Sequence, residues 1–163
     1  MRRKILIVSS FLVFLLFNYS IIKKERLIER GETVLLALAP VDPRSLMQGD
    51  YMRLRYEIEQ KSQIPSNEKR GYMVVTLDKN RVAQFRRFYT GEELAQNEKL
   101  LHFHGNGYGG IKIVPDSFMF QEGHATVYGR AKYGVFKFDR SGEHLLIGLA
   151  GEDFLMIRPG ETH

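Results

Sequence analysis

His102 and His104 stand two residues apart, a spacing that puts both imidazoles on one face of a strand. Two imidazoles so placed can begin a metal site, and Asp116, Glu122 or His124 could complete one. The chain has no His-Glu-x-x-His pattern and no cysteine, so no fixed third ligand accompanies the pair. No metal or cofactor is expected. The lack of cysteine also removes thiolate nucleophiles and disulfides. The run His102-Phe-His-Gly-Asn-Gly-Tyr-Gly-Gly110 lacks the Gly-Lys-Ser/Thr ending of a phosphate loop and opens no helical pattern. It reads as a wide turn or bulge between strands. Asp42, Asp50 and Arg44 are the remaining polar cluster, and a cleft gathering them would favour catalysis.

That cluster belongs to a longer signature. Pro40-Val-Asp-Pro-Arg-Ser-Leu-Met-Gln leads into Gly49-Asp-Tyr-Met-Arg-Leu-Arg-Tyr56. Gly49 can take positive φ at no steric cost, and Asp50 can cap the turn with its carboxylate. Leu54 and Tyr56 then point inward on a strand, while Tyr51 has the opposite parity and could pair with Arg44 or Arg53. Pro40 and Pro43 rigidify the approach and suit a connection crossing between sheets. The signature resembles that of the GDYXXLXY family, membrane-anchored bacterial proteins named for the box. All its fixed positions are present at Gly49, Asp50, Tyr51, Leu54 and Tyr56, with Pro40, Asp42, Pro43 and Arg44 upstream. Gln121-Glu-Gly123 and Ala131-Lys-Tyr-Gly134 are similar to the family's second half. The resemblance implies an anchored extracytoplasmic domain, often encoded beside multi-spanning membrane proteins, and it implies no catalytic residue.

One enzyme layout is also similar. A proline-rich approach, a Gly-Asp pair and an alternating strand behind an N-terminal anchor resemble the membrane signal peptidases. Their serine nucleophile would fall where this chain has Val41 and Asp42, and Ser45 lies beyond Pro43. Lys79, Lys99, Lys112, Lys132 and Lys137 each read as solvated charges rather than a partner base. The nucleophile–base pair is missing. A membrane-anchored hydrolase with another site stays the alternative to a non-enzymatic role.

The elements that must position these residues begin with a membrane segment. Ile5–Ile22 holds 18 residues without a charge, about 27 Å of helix against a hydrocarbon core of ~30 Å. It is long for a signal-peptide core, and no small-x-small site follows it before Lys23. Tyr19 sits near one end, where an interfacial aromatic belongs. Residues 1–30 carry seven Lys/Arg and two Glu, which accounts for the chain's whole net charge of +5. The remaining residues carry 17 basic and 17 acidic side chains, so no net basic surface exists to meet phosphates and no nucleic-acid partner is expected. Arg2, Arg3 and Lys4 favour an N-terminus inside and a body outside the bacterial inner membrane.

Past residue 30 the hydrophobic period becomes two. Thr33–Ala39, Tyr51–Ile58, Tyr72–Leu77, Val82–Tyr89, Leu100–His104, Gly110–Val114, Ala125–Phe138, Leu145–Ala150 and Phe154–Ile157 read as strands. Asp78-Lys-Asn80 and Asp139-Arg-Ser-Gly142 read as hairpin turns. Glu92–Lys99 reads as a short helix or a charged loop, and Phe85, Phe88, Tyr89, Phe118, Phe120, Phe136 and Phe138 as core. The expected architecture is mainly β: a compact antiparallel barrel or sandwich behind one transmembrane helix. Residues 1–4 form a cytoplasmic tip, 5–22 the anchor, 23–32 a juxtamembrane extension, and 33–158 the extracytoplasmic domain. Such a chain would act as an accessory or interaction protein, with the lipid bilayer and a multi-spanning membrane protein as its partners.

Overall fold

The computed structural model describes residues 2–40, 51–61, 69–105 and 110–160. Helix α1 spans Arg2–Arg30 without a break, so the charged Lys23–Glu29 stretch extends the apolar segment as one rod of about 43 Å. The helix is long and apolar enough to cross a membrane. Its polar residues do not leave groups unsatisfied: Ser9 donates to the Leu6 carbonyl at 3.0 Å and Asn18 to that of Phe14 at 2.8 Å. The apolar side chains of Leu6–Ile22 point outward all around the rod, and burial begins only at Leu27.

Among the described residues, nine strands follow in three antiparallel sheets. Strands β1 (Glu32–Ala37), β8 (Tyr133–Phe138) and β9 (His144–Ala150) form the first, in that order. The second has the order β4 (Ala83–Phe88), β3 (Arg70–Leu77), β5 (Glu98–Gly105), β6 (Ile111–Lys112). The third pairs β2 (Tyr51–Arg53) with β7 (Ser117–Met119). Single bonds stitch the sheets together: Leu35 donates to the Arg81 carbonyl at 2.9 Å, and Ala39 to that of Arg55 at 2.8 Å. The result is mainly antiparallel β with a half-barrel curve, not the closed barrel that was one of the two forms expected.

One large core holds the sheets. Val34, Met73, Val75, Leu101, Phe103, Ile113, Phe136 and Leu149 are all fully buried in it. A second, smaller cluster of Leu35, Val135 and Ala150 covers the other face of the β1–β8–β9 sheet, under Tyr133 and Phe154. Strand β8 is therefore apolar on both faces, which explains its unbroken buried run Gly134-Val-Phe136. Phe136 and Phe138 lie inside, while Phe85, Phe88, Phe118 and Phe120 are half-buried against the core.

Both expected hairpin turns form around an aspartate. Asp78 accepts from the backbone of Asn80 and Val82, and Asp139 from that of Ser141 and Glu143. Several strand expectations are corrected. Tyr51–Ile58 pairs as a strand only to Arg53, and Glu57–Lys61 is a short helix, α2. Ala125–Tyr128 is one helical turn, α3, so β8 begins only at Tyr133. Gly110–Val114 shortens to Ile111–Lys112, and Phe154–Ile157 is a turn with a single bridge from Met156 to Ala150. Glu92–Lys99 is loop up to β5, and β7 was not foreseen.

The rod meets the β domain at its C-terminal end. Leu27 packs inside, and the Gly31 amide donates to the Leu27 carbonyl at 2.9 Å before the chain turns into β1. A Cβ at Gly31 would collide with that carbonyl, so glycine is required for the tight exit. Lys23 and Lys24 both pair with Glu143 in the β8–β9 turn, and Lys137 donates to the Gly31 carbonyl at 3.1 Å.

Candidate functional site

The described part of the box sits where β1, β2 and α2 converge. The period-two burial runs through it even though the strand does not: Met52, Leu54, Tyr56 and Ile58 are buried, and Arg53 and Arg55 are exposed. Tyr56 is wholly buried, edge-on to Phe136 with ring centroids 5.6 Å apart. Its hydroxyl donates to the Pro115 carbonyl at 2.8 Å. Burial, then the nearby charges of Glu59 and Asp116, push the phenol's pKa up, so it remains a protonated donor. Leu54 donates from its backbone to the Asp116 carbonyl at 2.7 Å.

Glu59, which the sequence reading passed over, holds the turn together. One carboxylate oxygen accepts from the Tyr56 amide at 3.3 Å, as the N3 glutamate of a capping box does, and the other from the Ile113 amide at 2.7 Å. Burial raises its pKa against the lowering effect of those two amides. A Tyr-Glu-Ile-Glu string carries only half of the usual capping signature, since tyrosine cannot supply the reciprocal cap.

The box residues divide between two places. Pro40 and Leu54 line a shallow cleft of about 410 Å³ whose floor includes Leu38, Ala39 and Met52 and whose rim carries Arg53, Arg55, Glu57 and Lys132. Tyr51 lies on β2 opposite Met119 instead. Asp42, Pro43, Arg44, Gly49 and Asp50 lie outside the described residues, as does Ser45. Three cations and one carboxylate, Glu57, thus border an apolar floor.

The other chemistry-bearing residues are occupied elsewhere. His102 and His104 share one side of β5 with ring centroids 4.8 Å apart, and Tyr72 packs edge-on to His102. Burial first, then the neighbouring His104, lowers the pKa of His102. Among the described residues no three His, Cys, Asp or Glu side chains converge as metal ligands. Lys112 pairs with Asp116 at 2.6 Å, Lys99 with Glu32 at 2.7 Å and Lys132 with Glu152 at 3.8 Å.

His144, also unforeseen, has the most constrained imidazole. Nδ1 lies 3.1 Å from the Gly142 carbonyl and Nε2 3.0 Å from that of Val114, while the ring stacks on Phe138. Burial lowers its pKa against the raising effect of the two carbonyls. A neutral imidazole donates through one nitrogen only, so these two demands oppose each other. Gly142 is two residues away, but Val114 is 30 residues away, and no local signal announces that contact.

No curated protein and no solved structure matches the chain. The sequence from the middle of α1 to the end of β9, residues 13–149, does match one family, and it includes the box, the turn held by Glu59 and the segment that accepts from Tyr56: the chain belongs to the GDYXXLXY protein family.

Proposed function

We propose that the protein is a single-pass, non-enzymatic accessory domain of the bacterial inner membrane. Its N-terminus lies in the cytoplasm and its β domain outside, where it acts on a multi-spanning membrane partner. The observation that carries this reading is the continuity of α1. One unbroken helix runs from the apolar segment into the domain, and Leu27 with the two lysine–Glu143 pairs ties it to the β8–β9 turn. The domain is thus held in one pose at the membrane surface instead of swinging on a linker. Tethering raises its effective concentration toward neighbouring membrane proteins, so a modest interface suffices. Met119, 83% exposed beside the box on β7, and Leu155, 62% exposed, give the domain apolar contact points.

Two measurements test the reading. A reporter active only outside the cytoplasm, fused after His163, should be active, and a cytoplasm-only reporter should be silent; the reverse overturns the orientation. Membrane crosslinking followed by purification should recover a multi-spanning protein. Replacing residues 5–22 by an unrelated apolar helix then separates anchor contacts from β-domain contacts. If nothing co-purifies with the native chain, the accessory role fails.

A further inference from the structure

The face of α1 that looks toward the β8–β9 turn changes character along its length. Tyr19, Ile22, Arg26 and Arg30 follow at spacings of three and four residues, so they form one stripe, apolar below and cationic above. Together with the turn they line a cleft of about 630 Å³. Five cationic and three acidic side chains border it, and two of the acids are committed to lysines. Glu143 is held by Lys23 and Lys24, Glu32 by Lys99, and one Asp139 oxygen accepts from Ser141 and Glu143 within its turn. Among the described residues, no carboxylate pairs with Arg26, Arg30 or Arg140, although all three border this cleft. Three unpaired guanidiniums around one opening form a receptor for a phosphate, since the planar fork binds two oxygens at once.

Depth identifies the occupant. With the apolar span ending at Ile22, Arg26 stands about 6 Å beyond it, inside a headgroup layer of ~5–8 Å, and Arg30 about 12 Å beyond, within reach of its outer edge. Tyr19 and Ile22 at the lower lip border lipid acyl chains in that arrangement. We propose that this junction is a binding site for the headgroup phosphate of an anionic phospholipid. Arg26 and Arg30 contribute from the helix and Arg140 from the domain, so the bound lipid clamps the β domain onto its anchor. The proposal rests on the membrane-anchored reading above.

The test uses the full-length chain in mild detergent, with bound lipid counted by native mass spectrometry. Phosphatidylglycerol, phosphatidylcholine and inorganic phosphate are titrated separately. One phosphatidylglycerol per chain should be retained in preference to phosphatidylcholine. The Arg26→Gln/Arg30→Gln/Arg140→Gln variant should bind it at least about ten-fold more weakly, ~1.4 kcal/mol. A charge-matched variant on exposed residues elsewhere, Lys79→Gln/Arg86→Gln/Arg130→Gln, should bind it unchanged. Arg140→Gln alone, on an exposed turn, should give a smaller loss in the same direction and guards against misfolding of the triple variant. Equal retention of the two lipids, or equal loss in the charge-matched variant, overturns the site. Binding of inorganic phosphate as tight as that of phosphatidylglycerol overturns the lipid assignment. Carbonate extraction of membranes keeps the two readings apart: a chain that stays in the membrane without lipid preference refutes the site alone, whereas a chain that is released refutes the anchor.

Discussion

Tyr56→Phe removes a single oxygen from the centre of the box and leaves the ring where it is. The ring is wholly buried and keeps its edge contact with Phe136, so neither a cavity nor a lost apolar surface complicates the result. What disappears is the 2.8 Å bond to the Pro115 carbonyl. A buried acceptor orphaned in this way costs ~1–3 kcal/mol, and Pro115 is only half-buried, which places the expected loss near the lower half of that range. Urea unfolding of the full-length chain in mild detergent, followed by β-sheet circular dichroism, should show a lower midpoint with an unchanged slope. Tyr133→Phe is the control. That side chain is half-buried against Phe154 in the smaller cluster, and its loss of a hydroxyl should stay within about 0.5 kcal/mol. Since burial raises the phenol's pKa, the Tyr56→Phe effect should be the same in mildly acidic and mildly alkaline buffer. A Tyr56→Phe midpoint equal to wild type, or equal losses in both variants, would refute the view that the box fixes the loop at Pro115 through this hydroxyl.

Other substitutions read the same structure from different sides. Leu54→Ala should cost ~2–5 kcal/mol because the side chain is 3% exposed in the main core, while Arg53→Ala on the outer face should stay within about 0.5 kcal/mol; equal unfolding midpoints would invert the assignment of faces. The bond from Lys23, then that from Lys24, lowers the pKa of Glu143, so its stabilisation is complete above the unfolded glutamate range and is lost as pH falls through the folded value. Glu143→Gln should therefore unfold more easily than wild type at neutral pH and converge with it in acid, and a gap that persists in acid would assign the effect to something other than these ion pairs.

Where side chains and backbone follow the same period, the sequence reveals the fold. Strand β4 is legible for that reason, whereas β1, β3 and β9 are legible as short apolar runs and both turns by their aspartates. Tyr51–Ile58 misleads because its burial alternates to the end while its backbone does not. From Glu57 the chain is helical, and Glu59 satisfies the Tyr56 amide that a continuing strand would have paired. Ala125-Thr-Val-Tyr128 has the residue types of a strand, yet the Tyr128 ring packs on Phe118 and Phe120, and one helical turn places it there. Strand β7 is three residues long, too short for any period to register. Glu143 meets Lys24 across 119 residues and His144 meets Val114 across 30, and nothing in their own neighbourhood encodes those contacts.

Distant contacts also link the box to the end of α1. Four successive residues, Ile113 to Asp116, are each held by a different group. Glu59 takes the Ile113 amide, His144 meets the Val114 carbonyl, Tyr56 donates to the Pro115 carbonyl, and Leu54 donates to that of Asp116. Three of these four groups come from the box and the helix that follows it. The fourth, His144, is next in sequence to Glu143, which receives both Lys23 and Lys24 of α1. The box residues therefore hold the segment that His144 meets, and the other ring nitrogen lies 3.1 Å from the Gly142 carbonyl of the turn that packs on α1. The half-buried imidazole lies between two carbonyls and, when neutral, donates to one of them. Leu54 and Tyr56 of the box thus hold the segment that His144 meets, one residue along the chain from the carboxylate that receives Lys23 and Lys24.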